Sequence, residues 1–334
     1  LRPLIILYYH RILPFNGYDI DTKTFEWQLS FLKKRFDIVP PEVLFDLKRG
    51  MKLKRSSVML TFDDGFMDNY TYAAPILESF KIKAILFVIT SRVFRNITPK
   101  FPKQFIPEKD ESKIYKTDRE FLSLSELKTL KSMGVFSIGS HSHNHRKVFV
   151  SDRVIGIWKN ESSAHWSYEY AVGEIPQEGF PIFEMGSELK KRRFYPSKEF
   201  LYKVRDIYKS CKDEKEVLRQ ANSLKNKGYF ESEHEFKRKV EEDLKTSKEL
   251  IEKHLDLSVP FLSWPWGEFS ESSLEIAKNL GFEFCFTTEK KAFLGGDFCK
   301  IGRLKAPEKK ASFTRKLFLN RYTPLSVIYK LWHG

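Results

Sequence analysis

An α/β fold built on parallel strands is predicted by three observations. Short runs of strand-forming residues at 4–9, 57–62, 84–89, 135–138 and 261–263 alternate with amphipathic helical stretches, the order that winds into a parallel sheet. Most of the runs are apolar throughout instead of alternating, as strands buried on both faces must be. Three of them stop at residues that carry chemistry, His10, Asp63-Asp64 and His141. In barrels of this class the reactive groups gather at the C-terminal ends of the strands.

In chain order, Leu4 to Tyr9 is a strand ending at His10-Arg11. A helix from about Thr22 to Arg35 places Phe25, Leu29 and Leu32 on one face, and a short helix from Pro41 to Arg49 is stopped by Gly50. The Ser57–Phe62 strand leads to a helix from Tyr70 to Phe80 and a strand from Ala84 to Ile89. Ser91 to Phe121 mixes Pro, Lys, Asp and aromatics without a period and reads as a loop. Ser125 to Met133 is a helix closed by Gly134, and Val135 to Ile138 is a strand that delivers Gly139-Ser140-His141.

An irregular insertion at about 146–230 interrupts this pattern. It holds the aromatics Trp158, His165, Trp166, Tyr168 and Tyr170, the basic run Lys190-Lys191-Arg192-Arg193, and helices at Lys198–Lys209 and Glu214–Asn226. Its aromatics can stack on sugar rings, but core packing is favoured for any single one. The basic run either grips phosphate or is a solvated face. The scaffold resumes with a long amphipathic helix from Glu233 to His254, with Phe236, Val240, Leu244, Leu250 and Ile251 inward. After the Phe261–Ser263 strand come Trp264-Pro265-Trp266-Gly267, a helix from Glu271 to Leu280, and strands at Phe282–Phe286 and Phe298–Leu304. The organisation expected is thus a barrel over 1–310, interrupted by the insertion, and a basic amphipathic tail over 311–334.

With 334 residues and 41% hydrophobic content the chain can bury one large core, and its 58 Lys and Arg against 44 Asp and Glu give a net charge of +14. Such a balance favours anionic partners without choosing among them. The tail, with Arg315, Lys316, Leu317, Phe318, Arg321, Tyr329, Lys330 and Trp332, suggests peripheral contact with an anionic membrane face, and packing against the barrel is the competing explanation. Nucleic-acid binding is motivated by charge alone, no recognisable module supports it, and no nucleic-acid partner is expected. Three cysteines without close pairing or metal-type spacing imply reduced thiols and favour the cytoplasm. The apolar start at Leu4 is too short for a signal peptide or a span, and a leader removed ahead of Leu1 would make the location extracytoplasmic.

Two stretches carry the chemistry. Adjacent carboxylates at Asp63-Asp64 repel one another, so a cation is the usual reason to keep them together, although Asp-Gly is also an ordinary turn. Gly65 releases the strand's alternation and lets both acids approach one site. His141 and His145 lie four apart, and one helical turn would bring both imidazoles to one ion, with a surface histidine cluster as the alternative. With Asp64 they form a two-histidine, one-carboxylate set that leaves open positions on a divalent metal. His143 points to another face in this arrangement.

Thr61-Phe62-Asp63-Asp64-Gly65 followed by His141-Ser142-x-x-His145 resembles the NodB-type polysaccharide deacetylases, carbohydrate esterase family 4, whose fold is a distorted (β/α) barrel. The resemblance covers roughly 1–145 and 233–305. It implies that Asp63 is the catalytic base and that Asp64, His141 and His145 bind zinc, with cobalt or nickel as alternatives. Tyr8-Tyr9-His10-Arg11-Ile12 looks like the opening of the circularly permuted branch that includes the poly-N-acetylglucosamine deacetylases, which makes His10 the general acid. Trp264-Pro265-Trp266-Gly267-Glu268 resembles the branch's aromatic-Pro-aromatic-Gly motif, giving Trp266 an oxyanion role through its main-chain N–H. The arginine that many members place just before this proline is absent, and Arg303 is the candidate replacement. Trp264, Pro265, Lys190, Arg192 and Arg193 are the candidate substrate contacts. The function implied is metal-dependent removal of an N-acyl group, acetyl before formyl, from an amino sugar of a polysaccharide or lipid-linked glycan. A non-catalytic glycan-binding protein on the same fold is the alternative.

Overall fold

Seven strands lie side by side, all parallel, in the order Phe284–Phe286, Phe261–Ser263, Phe136–Ser140, Ala84–Val88, Ser57–Phe62, Leu4–Tyr9 and Leu304–Lys305, with Asp37–Ile38 added beside Ser57–Phe62. The computed structural model describes residues 2–15, 20–94, 120–159, 167–169, 176–211 and 213–321. Alternation along the strands sorts their side chains into two cores. Ile5, Leu7, Val58, Leu60, Leu86 and Val88 face the helices, whereas Leu4, Ile6, Met59, Ile85, Phe87, Phe284 and Phe286 fill the inside of the curved sheet. A sheet packed on both faces explains why its strands read as unbroken apolar runs.

The sheet closes into a distorted (β/α) barrel through a segment that changes partners. Phe298 and Ile301 bond to Cys285 and Thr287 on one edge, and three residues later Leu304 pairs with Leu7 on the other. The single strand expected over Phe298–Leu304 is therefore a bridge at Ile301 plus the short strand Leu304–Lys305, broken where the chain crosses between edges. Arg303 lies at this break and is fully buried. Cys285 and Cys299 meet here as free thiols in hydrogen-bond contact.

Several elements differ from expectation for identifiable reasons. The helix expected from Tyr70 opens as a wide π turn at Asn69–Ala73 and continues as Ala74–Ser79, because Pro75 has no N–H to give to an ordinary α turn. Thr90–Val93 is a short helix inside the stretch expected as loop, of which 95–119 lie outside the described residues. The insertion is not irregular: Lys147–Ile157 pairs antiparallel with Pro181–Ser187, and Phe194–Pro196 with Gly228–Phe230. Register shifts between Phe149 and Gly156, at the polar Ser151-Asp152-Arg153, hide this strand from a period-two reading. Helices Lys198–Ser210 and Glu214–Ser223 close over it around a separate core of Phe149, Trp158, Phe183, Phe194, Phe200 and Val217. His165, Trp166 and Tyr170 lie outside the described residues.

The long helix Glu233–Leu255 starts in a capping box, with Ser232 and Glu235 satisfying each other's backbone N–H groups. At the chain's far end, residues 310–320, expected to begin a basic tail, form a helix whose Phe313 and Leu317 are buried in the main core. Phe313 meets Trp27 and Phe31 edge-on at 6.1 and 6.2 Å. Packing accounts for Phe313 and Leu317, whereas Phe318 is exposed. Tyr329, Lys330 and Trp332 lie outside the described residues, among which no helix is long and apolar enough to cross a membrane. Phe313→Ala is expected to lower folding stability by about 3–5 kcal/mol through the cavity it leaves, measured by denaturant unfolding.

Candidate active site

The Ser57–Phe62 strand continues one residue past its end, since the Asp63 N–H donates to the Tyr9 carbonyl at 2.9 Å. The chain then turns through two consecutive left-handed residues, Asp64 at φ 72° and Gly65 at φ 75°. Asp tolerates this conformation, and a Cβ at Gly65 would stand 3.0 Å from the Val88 side chain. The turn thus begins at Asp64 itself, one residue earlier than the glycine suggests.

Asp63 is held by Arg303. One guanidinium nitrogen donates to Asp63 Oδ1 at 2.7 Å and the other to Oδ2 at 2.8 Å, a bidentate pair with both side chains buried. The remaining donors reach Thr61 Oγ1 (3.1 Å), Ser263 Oγ (2.8 Å) and the Thr287 carbonyl (3.2 Å). Burial alone would raise the Asp63 carboxyl, but the charges of Arg303 and His141 outweigh it and hold the group below the usual carboxylate range. Arg303, the candidate replacement for the missing arginine, is thus paired with Asp63.

His141 and His145 are not on a helix, as their spacing had suggested. They lie in the loop after Phe136–Ser140, in which Ser142 (φ 66°) and His145 (φ 52°) are left-handed. This loop still brings both rings to Asp64, with His141 Nε2 at 3.4 Å and His145 Nε2 at 3.5 Å from the same Oδ1. His141 Nδ1 donates to the Ser263 carbonyl at 2.7 Å, an acceptor that fixes the tautomer and aims the Nε2 lone pair at the carboxylate. Two ring nitrogens converging on one carboxylate oxygen form a donor set that a divalent cation would satisfy. Ligand atoms about 2.0–2.1 Å from one tetrahedral ion stand about 3.3–3.4 Å apart, which these separations fit. All three ligand atoms lie within 4.8 Å of one another and all three residues are buried. Burial and the neighbouring His141 push His145 down to about 3, so it is a neutral imidazole as a metal ligand must be. Asp64, despite burial, is held far below the usual range by its contact with His141 and by His145.

The other expected residues divide. His10 follows the Leu4–Tyr9 strand at the same rim, with its carbonyl held by Asn69 Nδ2 at 3.0 Å, and its proximity contributes to the lowering of both Asp63 and Asp64. Trp266 sits in the turn Pro265–Gly267 at φ 56°, its ring 4.3 Å from that of His145. Lys147 lies over the Trp266 ring at 4.9 Å, and Tyr168 meets its edge at 6.3 Å. His143 turns to Thr90 Oγ1, 2.8 Å from its Nδ1. Asp64, Ser142, His145 and Trp266 are four of the seven non-glycine residues with positive φ among the described residues, so backbone strain gathers at this site.

Three candidate substrate contacts are corrected. Trp264 is fully buried, stacked on Phe269 at 5.4 Å in the main core, and Pro265 is buried beside it, because the strand that ends at Ser263 turns inward there. Arg193 is engaged by Glu169 at 2.7 Å and by the Tyr195 ring, which leaves its charge matched. Lys190 and Arg192 are exposed on the turn after Pro181–Ser187. The sequence reading missed Asp243, whose carboxylate accepts the backbone N–H groups of His143 and Asn144. Its signal was available: Asp243 falls on the inward period of the long helix, between Val240 and Leu244.

Residues 50–285 match the family model for polysaccharide deacetylase. A Bacillus subtilis (strain 168) relative, YxkH, is 35% identical over 88 residues, 26% of this chain and 32% of the relative. A Staphylococcus aureus (strain MSSA476) protein named poly-beta-1,6-N-acetyl-D-glucosamine N-deacetylase is 29% identical over 132 residues, 39% of each chain. The chain thus spans 32–39% of the length of these curated relatives. Among solved structures, a de-N-acetylase from Aggregatibacter actinomycetemcomitans superposes with a TM-score of 0.63 at 18% identity, covering 94% of this chain and 99% of the other, which shows the fold. His10 and Arg303 both lie outside the segment that the family model matches.

Arg303→Met would leave Asp63 buried without its partner. Urea unfolding is expected to show a loss of about 3–5 kcal/mol, far more than removal of an exposed arginine.

Proposed function

The chain belongs to the polysaccharide deacetylase family, and from that premise we propose that it hydrolyses the N-acyl amide, acetyl first, of an amino sugar in a polysaccharide or lipid-linked glycan. The observation that carries this reading is the triangle of Asp64, His141 and His145 beside an Asp63 clamped by Arg303. A divalent ion held by the triangle, zinc in our reading, with cobalt or nickel suited to the same donors, supplies positive charge that polarises an acyl carbonyl and favours ionised water.

The chain's own groups do the rest. Asp63 is the base: Arg303 keeps it ionised and fixes its orientation, and it accepts the proton of the attacking water. A carboxylate held below its ordinary range is a weak base, so it serves by its position beside the site. The Trp266 N–H supports the oxyanion, and a left-handed backbone next to His145 suits a main-chain donor aimed at the site. His10, at the same rim, returns a proton to the departing amine.

The relatives named for poly-beta-1,6-N-acetyl-D-glucosamine support an N-acetylglucosamine polymer as substrate. The Trp266 and Tyr168 rings beside His145 offer a surface on which a pyranose can stack. Exposed Lys190 and Arg192 remain our candidates for an anionic group on the glycan or its carrier. Free thiols at Cys211, Cys285 and Cys299 support a reducing compartment, the cytoplasm.

Acetate release from N-acetylated glycans, with metal content measured on the same samples, tests the roles. Asp63→Asn should keep the metal and lose at least about a hundredfold in turnover, whereas Asp64→Ala should lose the metal itself. Wild-type turnover by Asp63→Asn would remove the base assignment. Peripheral contact with an anionic membrane, which Arg315, Lys316, Leu317, Phe318, Arg321, Tyr329, Lys330 and Trp332 of the tail suggest, is checked by co-sedimentation with anionic vesicles. A chain ended at Arg321 keeps the packed helix and should bind less, and equal binding would exclude that segment.

A further inference from the structure

Two carboxylates, the buried Asp243 and the half-buried Glu188, have no part in the chemistry above, and both end on the loop that carries the histidine ligands. Asp243 Oδ1 accepts the His143 N–H at 2.8 Å and Oδ2 accepts the Asn144 N–H at 2.9 Å. Glu188 Oε1 accepts the Arg146 N–H at 3.2 Å. Within the loop the Ser142 N–H donates to Ser140 Oγ at 3.1 Å, and the His145 N–H to Ser142 Oγ at 2.9 Å. Every backbone N–H from Ser142 to Arg146 therefore ends on a side-chain oxygen, while the Ser142 and His143 carbonyls accept from the Thr90 and Ser91 N–H groups at 3.3 and 3.0 Å.

We propose that Asp243 is a positioning residue for the metal site, its two carboxylate oxygens gripping the peptide between the histidine ligands so that His145 meets Asp64 and His141. The proposal rests on the metal-site reading given above. Ser142 and His145 occupy left-handed conformations that side-chain-bearing residues keep only when their surroundings hold them there, so the loop needs outside support. Asp243 offers one carboxylate oxygen to each of two consecutive N–H groups, so a single side chain fixes the peptide that joins His143 to Asn144. Its own placement is rigid. Val240, Leu244 and Ser247 are buried around it on one face of the Glu233–Leu255 helix. One turn on, Ser247 Oγ meets Ser140 Oγ at 2.6 Å, so the same face also holds the strand end from which the loop departs. The helix acts as a splint beneath the ligands, and Asp243 is its contact with the loop.

Removing groups that orient metal ligands typically weakens metal binding about 10–100-fold. Asp243→Asn keeps the shape but replaces one acceptor oxygen with an NH2 group. Zinc affinity, measured on the full chain by competition with a chelator, should fall by about that factor. The visible spectrum of the cobalt-substituted protein should change, and acetate release should recover when zinc is in excess, which a general loss of fold would not allow. Wild-type zinc affinity together with an unchanged cobalt spectrum in Asp243→Asn would overturn the proposal alone. A wild-type protein that binds no zinc would overturn the metal-site reading, and this inference with it. Hydrogen exchange on the metal-free wild type needs no variant to fold: the His143 and Asn144 amides should be protected, and exchange at the rate of exposed amides would also refute the role.

Discussion

The bidentate pair between Arg303 and Asp63 is the constraint on which the rest of the structure depends. A buried ion pair is favourable only when every remaining donor and lone pair is met, because desolvation of both ions otherwise exceeds their attraction. Here the guanidinium reaches Asp63, Thr61 and Ser263 and the carbonyl of Thr287, which follow three different strands of the sheet or belong to them. Arg303 itself sits where the closing segment crosses from one sheet edge to the other. One residue thus supports closure of the barrel and the aim of the carboxylate. The final strand is broken here because the segment changes partners, from Phe286 on one edge of the sheet to Leu7 on the other.

What could be read from the sequence was what is encoded locally. The apolar strands announced themselves because both faces are buried, and Asp63-Asp64 and His141/His145 stood out because their chemistry lies within a few residues. The resemblance implies different roles for the two acids, and their surroundings differ: Asp63 faces an arginine and Asp64 faces two imidazoles. The spacing of the histidines was read as helical, yet the same convergence is reached by two left-handed residues that no periodicity reveals. Trp264 was misread because an aromatic next to a glycine-bearing turn looks the same in sequence whether it faces a sugar or a core. Asp243 was passed over because an amphipathic pattern is scored on its apolar members, and one carboxylate on the inward face is read as a solvated neighbour.

The insertion shows where sequence and site are most loosely connected. Its core of Phe149, Phe183, Phe194 and Phe200 is separate from that of the barrel, so its packing imposes little on the catalytic strands. Lys147 at its start and the stretches at Tyr168 and Ser187–Leu189 within it are another matter. Lys147 and Tyr168 stand against Trp266, Glu188 holds the Arg146 N–H, and the Ser187 N–H reaches Glu268 Oε2 at 3.3 Å. Leu189 is buried in the main core, and its carbonyl accepts from Ser273 Oγ. These stretches are therefore tied both to the loop that carries the two histidines and to the turn that carries Trp266, while the Phe-rich remainder packs on itself. The metal-ligating set thus lies on the barrel, and the insertion that reaches Trp266 folds around a core of its own.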